Sequence, residues 1–400
     1  MARQIVTGID IGTFETKVII AEGAWTDGHF TPKIIGTGTA ESRGIERGYI
    51  VNSAEASHAL KTAVAKAERA SGVRVRRAYV AFGGLGLGSI STTGSAAISR
   101  ADMEITDRDV AIAMEAAEKA IPSALSMNKR IINSIPVEYK IDGKVSWGEP
   151  IGLKAGKLEI KVLFITCLEH HLSDLIKTVE EADIEVIDVV AAPVAASFVT
   201  VSKKQRRVGC LLADIGAETL SVMTFENNNP ASLEVFPVGG SDITNDIALG
   251  LKIPLEEAES VKMGGLSRST FSKKKLEDII GARLEDCFEL IENHLKKIGR
   301  DALLPAGILL TGGGANTPGV RVLAEEVLEL PAVISDIHFG EGDKNKIRDT
   351  IWAVSCGLIL VGFNSNEESS SLGRRGTPLT AESGQRLLRK ASRWISQFLP

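Results

Sequence analysis

The chain is predicted to form an α/β fold with two related halves. A β-rich strand, an Asp-Ile-Gly turn and a second strand occur together twice, once around Asp10 and again around Asp214. Helix-like segments separate the strands; Asn52–Ser71, for example, is Ala-rich and stops at Gly72. A repeated strand–turn–strand unit with intervening helices indicates a duplicated α/β architecture.

The remaining elements follow the same mixed order. A helix is predicted from Thr106 to Pro122, with Asp109 in a capping position, and a long helix from about Lys275 to Arg300. Further strands are predicted at 131–139, 158–166, 184–190, 233–238 and 307–311. This order is typical of an α/β protein that carries insertions.

Composition excludes several classes of protein. Hydrophobic residues make up 44% of the 400 residues and charged residues 24%, which is an ordinary globular balance and argues against disorder. The net charge of −5 makes duplex nucleic acid an unexpected partner. Residues 384–400 differ from the rest, with four basic side chains and no acidic one.

The cysteines and histidines carry no metal or disulfide pattern. Cys167, Cys210, Cys287 and Cys356 are far apart and are predicted to be core thiols of a reduced compartment. No signal peptide opens the chain, and the longest apolar run, 353–363, is about half the length that a bilayer crossing needs. These features predict a cytoplasmic protein without a transmembrane segment.

The repeated turn suits phosphate. A tight turn between two strands directs backbone N–H groups into one concavity, where Gly12 permits close approach, Thr13 adds a hydroxyl and Lys17 adds a positive charge. A carboxylate beside a phosphate requires a cation between them, so Asp10 and Asp214 predict Mg²⁺ held through waters.

Two further glycine-rich segments have different interpretations. Gly312, Gly313 and Gly314 follow a buried strand and leave space for a flat base or ribose against the backbone, although a plain β–α turn is an open alternative. The segment 83–88 has glycines without the context of a phosphate loop and is interpreted as a flexible crossing into another subdomain.

The end of the chain is predicted to be a linker and a membrane-binding helix. Residues 364–383 are polar and lack periodicity. In 384–400, apolar residues recur on one helical face, and four charges exclude a bilayer crossing, so the helix is predicted to lie in the membrane interface. An amphipathic helix docked on the protein itself is the open alternative. The predicted lipid-contacting residues are Leu387, Leu388, Arg389, Lys390, Trp394, Ile395 and Phe398.

The motifs DIGTxxxK, DIGxxT and TGGGxxxPG, in this order, resemble the actin-like ATPase superfamily. The segments 237–248, 257–262, 135–143 and 150–159 narrow the resemblance to the FtsA family of bacterial cell-division proteins, over about residues 4–363. The resemblance implies a two-lobed actin-like fold with ribonuclease-H-like halves and an inserted α+β subdomain that replaces the usual actin subdomain.

The resemblance also implies boundaries and a site. The implied subdomains are 1–82 with 166–204 and 349–363 (IA), 83–165 (IC), 205–246 with 305–348 (IIA), and 247–304 (IIB). ATP would lie between the halves and contact three sets of residues: Gly12, Thr13 and Lys17; Asp214, Gly216 and Thr219; and Gly240, Glu259, Lys262, Gly312, Gly313 and Gly314. Asp10 and Asp214 would face Mg²⁺. For Glu259 and Lys262 an exposed ion pair is an equal alternative.

Some positions depart from the family pattern. The second turn has Ala217 and Glu218 where relatives usually have more glycine, and Leu220-Ser221 stand where relatives often have Asp, which predicts weaker phosphate affinity. Ala192 stands where chaperone relatives carry a Glu that activates water, so the sequence favours an ATP-binding switch over a fast ATPase.

The resemblance implies a membrane tether of the division ring. Its partners would be the FtsZ C-terminal tail, further copies of itself in a head-to-tail filament, other division-ring proteins and anionic lipids on the cytoplasmic face of the membrane. Arg283, Lys297 and Arg300 are candidates for contact with acidic groups of the FtsZ peptide, which has both acidic and apolar residues. Basic residues that only complement the dipole at the C-terminal end of a helix are an open alternative. A PilM-like pilus adaptor and a small-molecule kinase of the same superfamily stay open as alternatives.

Overall fold

A computed structural model describes residues 4–26, 29–265, 271–339 and 349–371. The strands in chain order are β1 (Gln4–Ile11), β2 (Glu15–Thr26), β3 (His29–Glu41), β4 (Ile45–Glu46), β5 (Tyr49–Ile50), β6 (Arg77–Phe82), β7 (Gly88–Ala97), β8 (Lys129–Ile141), β9 (Lys144–Ser146), β10 (Lys157–Leu168), β11 (Glu185–Ala191), β12 (Cys210–Ile215), β13 (Leu220–Glu226), β14 (Asn229–Phe236), β15 (Ile308–Thr311) and β16 (Ala332–Ile334).

The α-helices are α1 (Ser53–Ser71), α2 (Asp107–Lys119), α3 (Ser123–Ser126), α4 (Glu169–Glu180), α5 (Ala192–Thr200), α6 (Lys203–Val208), α7 (Gly240–Leu251), α8 (Leu255–Lys262), α9 (Lys273–Lys297), α10 (Val320–Leu328) and α11 (Ala353–Ser371). Two 3₁₀ helices cover Gly313–Asn316 and Thr350–Trp352. Helix ends follow local chemistry: the Asn52 side chain caps α1 by accepting from the Glu55 N–H, and Gly72, at φ 69°, ends it.

Two five-stranded sheets repeat one topology. The first has the order β11-β6-β1-β2-β3 and the second β16-β15-β12-β13-β14. In each sheet the central strand pairs antiparallel with the next strand of its hairpin and parallel with a strand from later in the chain. The chain is therefore an α/β protein with duplicated halves, as predicted.

A third sheet forms the insertion. Strands β7, β10, β8 and β9 pair antiparallel in that order, and α2 packs on them around a separate apolar core. A Cβ atom at Gly94 would lie 2.0 Å from the carbonyl oxygen of Ala113, so the helix rests directly on the backbone of β7. The predicted α+β insertion is confirmed.

Helix α11 packs on the first half of the protein. It packs on α5 and β1, and a Cβ at Gly357 would lie 1.8 Å from the carbonyl oxygen of Ala195. This contact holds Ala192, the first residue of α5, at the base of the space between the two large sheets.

The predicted strands and the three predicted helices are all present, with boundaries shifted by a few residues. All four cysteines are buried and free, as expected of core thiols. The predicted linker is wrong at its start, because α11 continues through 364–371. The costly first turn of α11 forms where the helix packs on the protein. Each residue added after that gains one backbone hydrogen bond, so the helix extends past its packed part. Residues 372–400, with the rest of the linker and the membrane helix, lie outside the described residues.

Candidate functional site

A cavity of about 390 Å³ lies between the two large sheets. The hairpin turns of both halves meet there, together with the loop after β15 and the start of α7. The cavity is lined by all thirteen residues for which a nucleotide-binding role is predicted: Asp10, Gly12, Thr13, Lys17, Asp214, Gly216, Thr219, Gly240, Glu259, Lys262, Gly312, Gly313 and Gly314. Their roles in binding stay predictions.

The first turn carries a cation beside a carboxylate. Asp10 and Lys17 are register partners across β1 and β2, so both side chains lie on the same face of the hairpin. The Lys17 ammonium donates to Asp10 Oδ2 at 3.3 Å and to the Glu15 carbonyl at 3.5 Å, and both side chains are largely buried. In the second hairpin the register partner of Asp214 is Ser221, so this half contributes no matching cation.

The second turn is fixed by the start of α7. The Gly216 N–H donates to the Thr219 carbonyl, and the Gly216 carbonyl accepts from Gly240 N–H at 2.9 Å. A Cβ at Gly239 would lie 2.5 Å from the Ala217 carbonyl oxygen, so this approach requires glycine. With Ala217 and Glu218 in it, the second turn is closed by its own backbone hydrogen bond and by the start of α7.

The carboxylates of Asp10 and Asp214 both line the cavity. Burial, and the neighbouring Asp10, raise the pKa of Asp214 to about 6, and Lys17 partly offsets this. A positive ion between the two carboxylates would counter the part of this pKa shift that Asp10 causes. The donor set thus matches a divalent cation.

The residues fit Mg²⁺ better than a metal bound by protein side chains alone. Within the described ranges, three or more acidic, His or Cys side chains nowhere gather in a metal-holding cluster. Mg²⁺ is commonly held by one or two carboxylates together with waters and phosphate oxygens. Asp10 and Asp214 meet that requirement.

The three glycines after β15 differ in the space that surrounds them. A Cβ at Gly312, which has φ 82°, would lie 2.3 Å from Asp214 Oδ1, and a Cβ at Gly314 would lie 2.3 Å from Ile215 Cγ2. Both therefore allow the loop to pack on the second turn. At Gly313 the nearest atom is Ile351 Cγ2 at 3.9 Å, so a side chain fits there and would occupy cavity space.

Glu259 and Lys262 form an ion pair in which the lysine is buried and the glutamate side chain is 38% exposed. The Lys262 ammonium, whose side chain is 6% exposed, donates to the Gly240 carbonyl at 3.0 Å, Thr244 Oγ1 at 2.8 Å and Glu259 Oε2 at 2.7 Å. An ammonium group has three donors, so Lys262 is fully bonded. Among the described residues that line the cavity, Lys17 is consequently the cation available to a phosphate.

Sequence reasoning missed a further part of the lining. Asp349, Thr350 and Ile351 reach the cavity from the segment before α11, and Phe14 lies at the first turn with 66% of its side chain exposed. The Thr350 hydroxyl donates to the Gly312 carbonyl at 2.9 Å. Asp349, Thr350 and Ile351 match no phosphate-turn pattern and are distant in sequence from the turns that they face.

The candidate partner residues lie at two places, Arg283 within α9 and both Lys297 and Arg300 at its C-terminal end. Fourteen positions separate Arg283 from Lys297 on α9, about 21 Å along the helix axis. Arg283 pairs with Asp246 at 2.7 Å and with Asp286, whereas Arg300 contacts Glu226 through Nε and Nη2. Lys297 is exposed.

The candidate lipid-contacting residues lie outside the described residues, so the structure does not place them: Leu387, Leu388, Arg389, Lys390, Trp394, Ile395 and Phe398. Within the described part of the chain, no helix reaches the length and apolarity required to cross a membrane.

Solved structures share this fold. A PilM–PilN type IV pilus biogenesis complex aligns with a TM-score of 0.64 at 17% identity, covering 89% of this chain and 98% of the other. MreB5 of Spiroplasma citri, solved with ADP bound, aligns with a TM-score of 0.53 at 12% identity, covering 92% and 99%. The two-lobed actin-like fold predicted from the sequence is confirmed by these likenesses.

Sequence comparisons identify the family. The family model described as Cell division protein FtsA matches residues 211–357. The family model of the SHS2 domain inserted in FtsA matches residues 84–166. Cell division protein FtsA of Bacillus subtilis is 32% identical over 378 residues, covering 89% of this chain and 83% of the relative. That of Pseudomonas aeruginosa is 26% identical over 414 residues, covering 98% and 97%. The chain belongs to the FtsA family of cell-division proteins.

Proposed function

We propose that this protein binds ATP with Mg²⁺ in the cavity between its halves and uses it as a switch for assembly. The observation that carries the proposal is the meeting of two Asp-Ile-Gly turns, Lys17 and a glycine loop in one cavity. In this arrangement Lys17 pairs with the terminal phosphates. The backbone of the two turns donates hydrogen bonds to the phosphate oxygens, and Gly313 leaves room for the adenosine.

Asp10 and Asp214 would hold Mg²⁺ through waters. When bound, the ion offsets the negative charge of the phosphates and of these two carboxylates. Glu259, oriented by Lys262 and Thr244, has its second carboxylate oxygen for the ribose. The experiment is calorimetric titration of the nucleotide-free protein with ATP, with and without Mg²⁺. Binding that requires Mg²⁺ is expected, and absence of binding would overturn the proposal.

We further propose that the ATP-bound protein polymerises head to tail on the inner face of the cytoplasmic membrane and tethers FtsZ filaments. Membership of the FtsA family and the basic amphipathic pattern of 384–400 support this role. Each of four cations near an anionic leaflet contributes about 1 kcal/mol. A single tail thus binds reversibly, and a filament with many tails binds strongly through avidity.

Co-sedimentation with vesicles that contain anionic lipid tests the anchor. Deletion of 384–400 and the variant Trp394→Glu are expected to abolish pelleting while calorimetric ATP binding persists. Ser396→Glu, on the polar side of the same predicted helix, is the matched charge control and should reduce pelleting only slightly. Unchanged pelleting after the deletion would overturn the anchor.

The FtsZ contact is best tested at Lys297. Reversal of Arg300 also breaks its ion pair with Glu226, whereas Lys297 is exposed and its reversal leaves that pair intact. Lys297→Glu is expected to weaken binding of the FtsZ C-terminal peptide. Lys273→Glu, at the other end of α9 and 89% exposed, is the control. Equal peptide affinity in the two variants would remove Lys297 from the interface.

A further inference from the structure

A two-residue hairpin turn lies at the edge of the cavity. Strands β4 and β5 pair antiparallel, and Arg47 and Gly48 connect them with φ values of 48° and 78°. Two successive residues with positive φ form the tight connection that hairpins prefer. Gly48 also lines the cavity.

This turn contacts both phosphate-type turns. The Gly48 N–H donates to Thr13 Oγ1 at 3.2 Å, in the first half. The Arg47 N–H donates to Glu218 Oε2 at 2.6 Å, in the second half. The Arg47–Gly48 turn therefore bridges the two halves beside the cavity, and Glu218 is the residue of the second turn that reaches across.

The same turn contacts the entrance to the inserted subdomain. The Leu85 N–H donates to the Arg47 carbonyl at 3.3 Å, and a Cβ at Gly48 would lie 2.5 Å from the Gly84 Cα. A Cβ at Gly84 would in turn lie 2.7 Å from the Tyr49 ring. The glycine-rich segment 83–88 thus packs closely against the hairpin, and it leads directly into β7 of the insertion.

An aromatic stack supports the hairpin from its other side. The Tyr49 ring lies on His171 with centroids 3.4 Å apart and planes 11° apart. His171 belongs to α4, which follows β10 of the insertion. Both chain connections of the insertion, 83–88 and the β10–α4 junction, therefore contact this hairpin.

We propose that the Arg47–Gly48 turn couples nucleotide occupancy of the cavity to the orientation of the inserted subdomain, with Glu218 as its positioning residue. The inference rests on the proposed nucleotide binding. A triphosphate between the two turns changes their separation, and the hydrogen bonds from the Arg47 N–H to Glu218 and from the Gly48 N–H to Thr13 carry that change to the hairpin. The Arg47–Gly48 turn therefore moves together with Glu218 and Thr13. Because the turn packs closely against segment 83–88, that segment and β7 move with it.

Hydrogen–deuterium exchange of the full chain, with and without saturating ATP·Mg²⁺, tests the coupling. In the wild type, ATP is expected to change exchange across β7 by at least about threefold. Gly48→Ala, whose Cβ would collide with Gly84, should abolish that response. Gly143→Ala is the matched control, because the Asp142–Gly143 turn has nearly the same φ values, 47° and 79°, and no atom lies within 4 Å of the added Cβ.

Glu218 gives a second, independent test. Glu218→Ala should abolish the β7 response, and Glu218→Gln, which keeps an acceptor for the Arg47 N–H, should restore it. Without nucleotide, Glu218→Ala should raise exchange across 83–88 by at least about threefold relative to Glu218→Gln.

The outcomes separate this inference from the proposed function. Calorimetric ATP binding combined with an unchanged β7 response in Gly48→Ala and Glu218→Ala overturns the coupling and leaves ATP binding standing. A wild type that binds ATP without any change in β7 also overturns it. Equal exchange across 83–88 in the two nucleotide-free Glu218 variants overturns it regardless of ATP. Absence of ATP binding in the wild type overturns the proposed function itself, and the coupling with it.

Discussion

The ammonium nitrogen of Lys262 lies 2.7 Å from Oε2 of Glu259, and both groups also bond to the Thr244 hydroxyl. Replacement of Lys262 by Met removes three hydrogen bonds from a buried position. We expect a loss of about 1–3 kcal/mol in the free energy of unfolding. We also expect roughly tenfold weaker ATP binding, because Glu259 is no longer oriented. Denaturant unfolding and calorimetry measure the two effects.

The control for this prediction is Lys296→Met. Lys296 forms an exposed pair with Glu292 one turn away on α9, and such surface pairs contribute little to stability. Equal unfolding free energies for Lys262→Met and Lys296→Met would contradict the buried role of Lys262.

Gly313 is the loop position at which a side chain can test the cavity without damage to the fold. Gly313→Asp is expected to abolish ATP binding, because its carboxylate occupies the cavity and repels phosphate. Gly313→Ala, with only a methyl group, should bind ATP within about tenfold of the wild type. Lys17→Ala should lose binding by removal of the cation. A folded Gly313→Asp protein with normal affinity would show that ATP lies elsewhere.

The raised pKa of Asp214 predicts a pH dependence of ATP·Mg²⁺ affinity. Below a pH of about 6 the nucleotide-free protein holds a proton on Asp214, and Mg²⁺ must displace it. Affinity should therefore fall as pH is lowered through 6, and calorimetry at pH 5.5 in buffers of different ionisation enthalpy should detect proton release. A pH-independent affinity between 5 and 7 would contradict the assignment.

The same shift predicts the pH dependence of stability without nucleotide. A folded-state pKa above the ordinary value of 3.8 means that the stabilising contribution exists at low pH and is lost as pH rises through about 6. Asp214→Asn should consequently unfold at a higher temperature than the wild type above pH 6. A lower unfolding temperature for Asp214→Asn at pH 7 would refute this expectation.

Hydrolysis is expected to be slow. Ala192, which lines the cavity at the start of α5, has no group that orients a water molecule toward the terminal phosphate. Steady-state phosphate release should stay well below about 1 s⁻¹, the low end of ordinary enzyme rates. A wild-type turnover at or above that rate would mean that another residue activates water.

Much of the site was predictable because its backbone elements are local in sequence. In an Asp-Ile-Gly turn the strand, the turn and the returning strand are consecutive, so the residue types near Asp10 and Asp214 suffice to predict their geometry. The tandem glycines after β15 are likewise a local signal. The contribution of Asp349 to Ile351 was not predictable, because those residues reach the cavity only through the packing of α11 on α5.

The sequence by itself determined the duplicated α/β fold, the two Asp-Ile-Gly turns, the buried thiols and the amphipathic pattern of 384–400. Each depends on periodicity or on contacts between neighbouring residues. Only the tertiary structure decided that Lys262 is buried and fully bonded while Lys17 is available, and that Glu218 reaches Arg47 rather than solvent. Those outcomes depend on contacts between distant segments, 171 residues apart for Arg47 and Glu218. Such pairings are set by how whole sheets and helices pack, which no local pattern specifies.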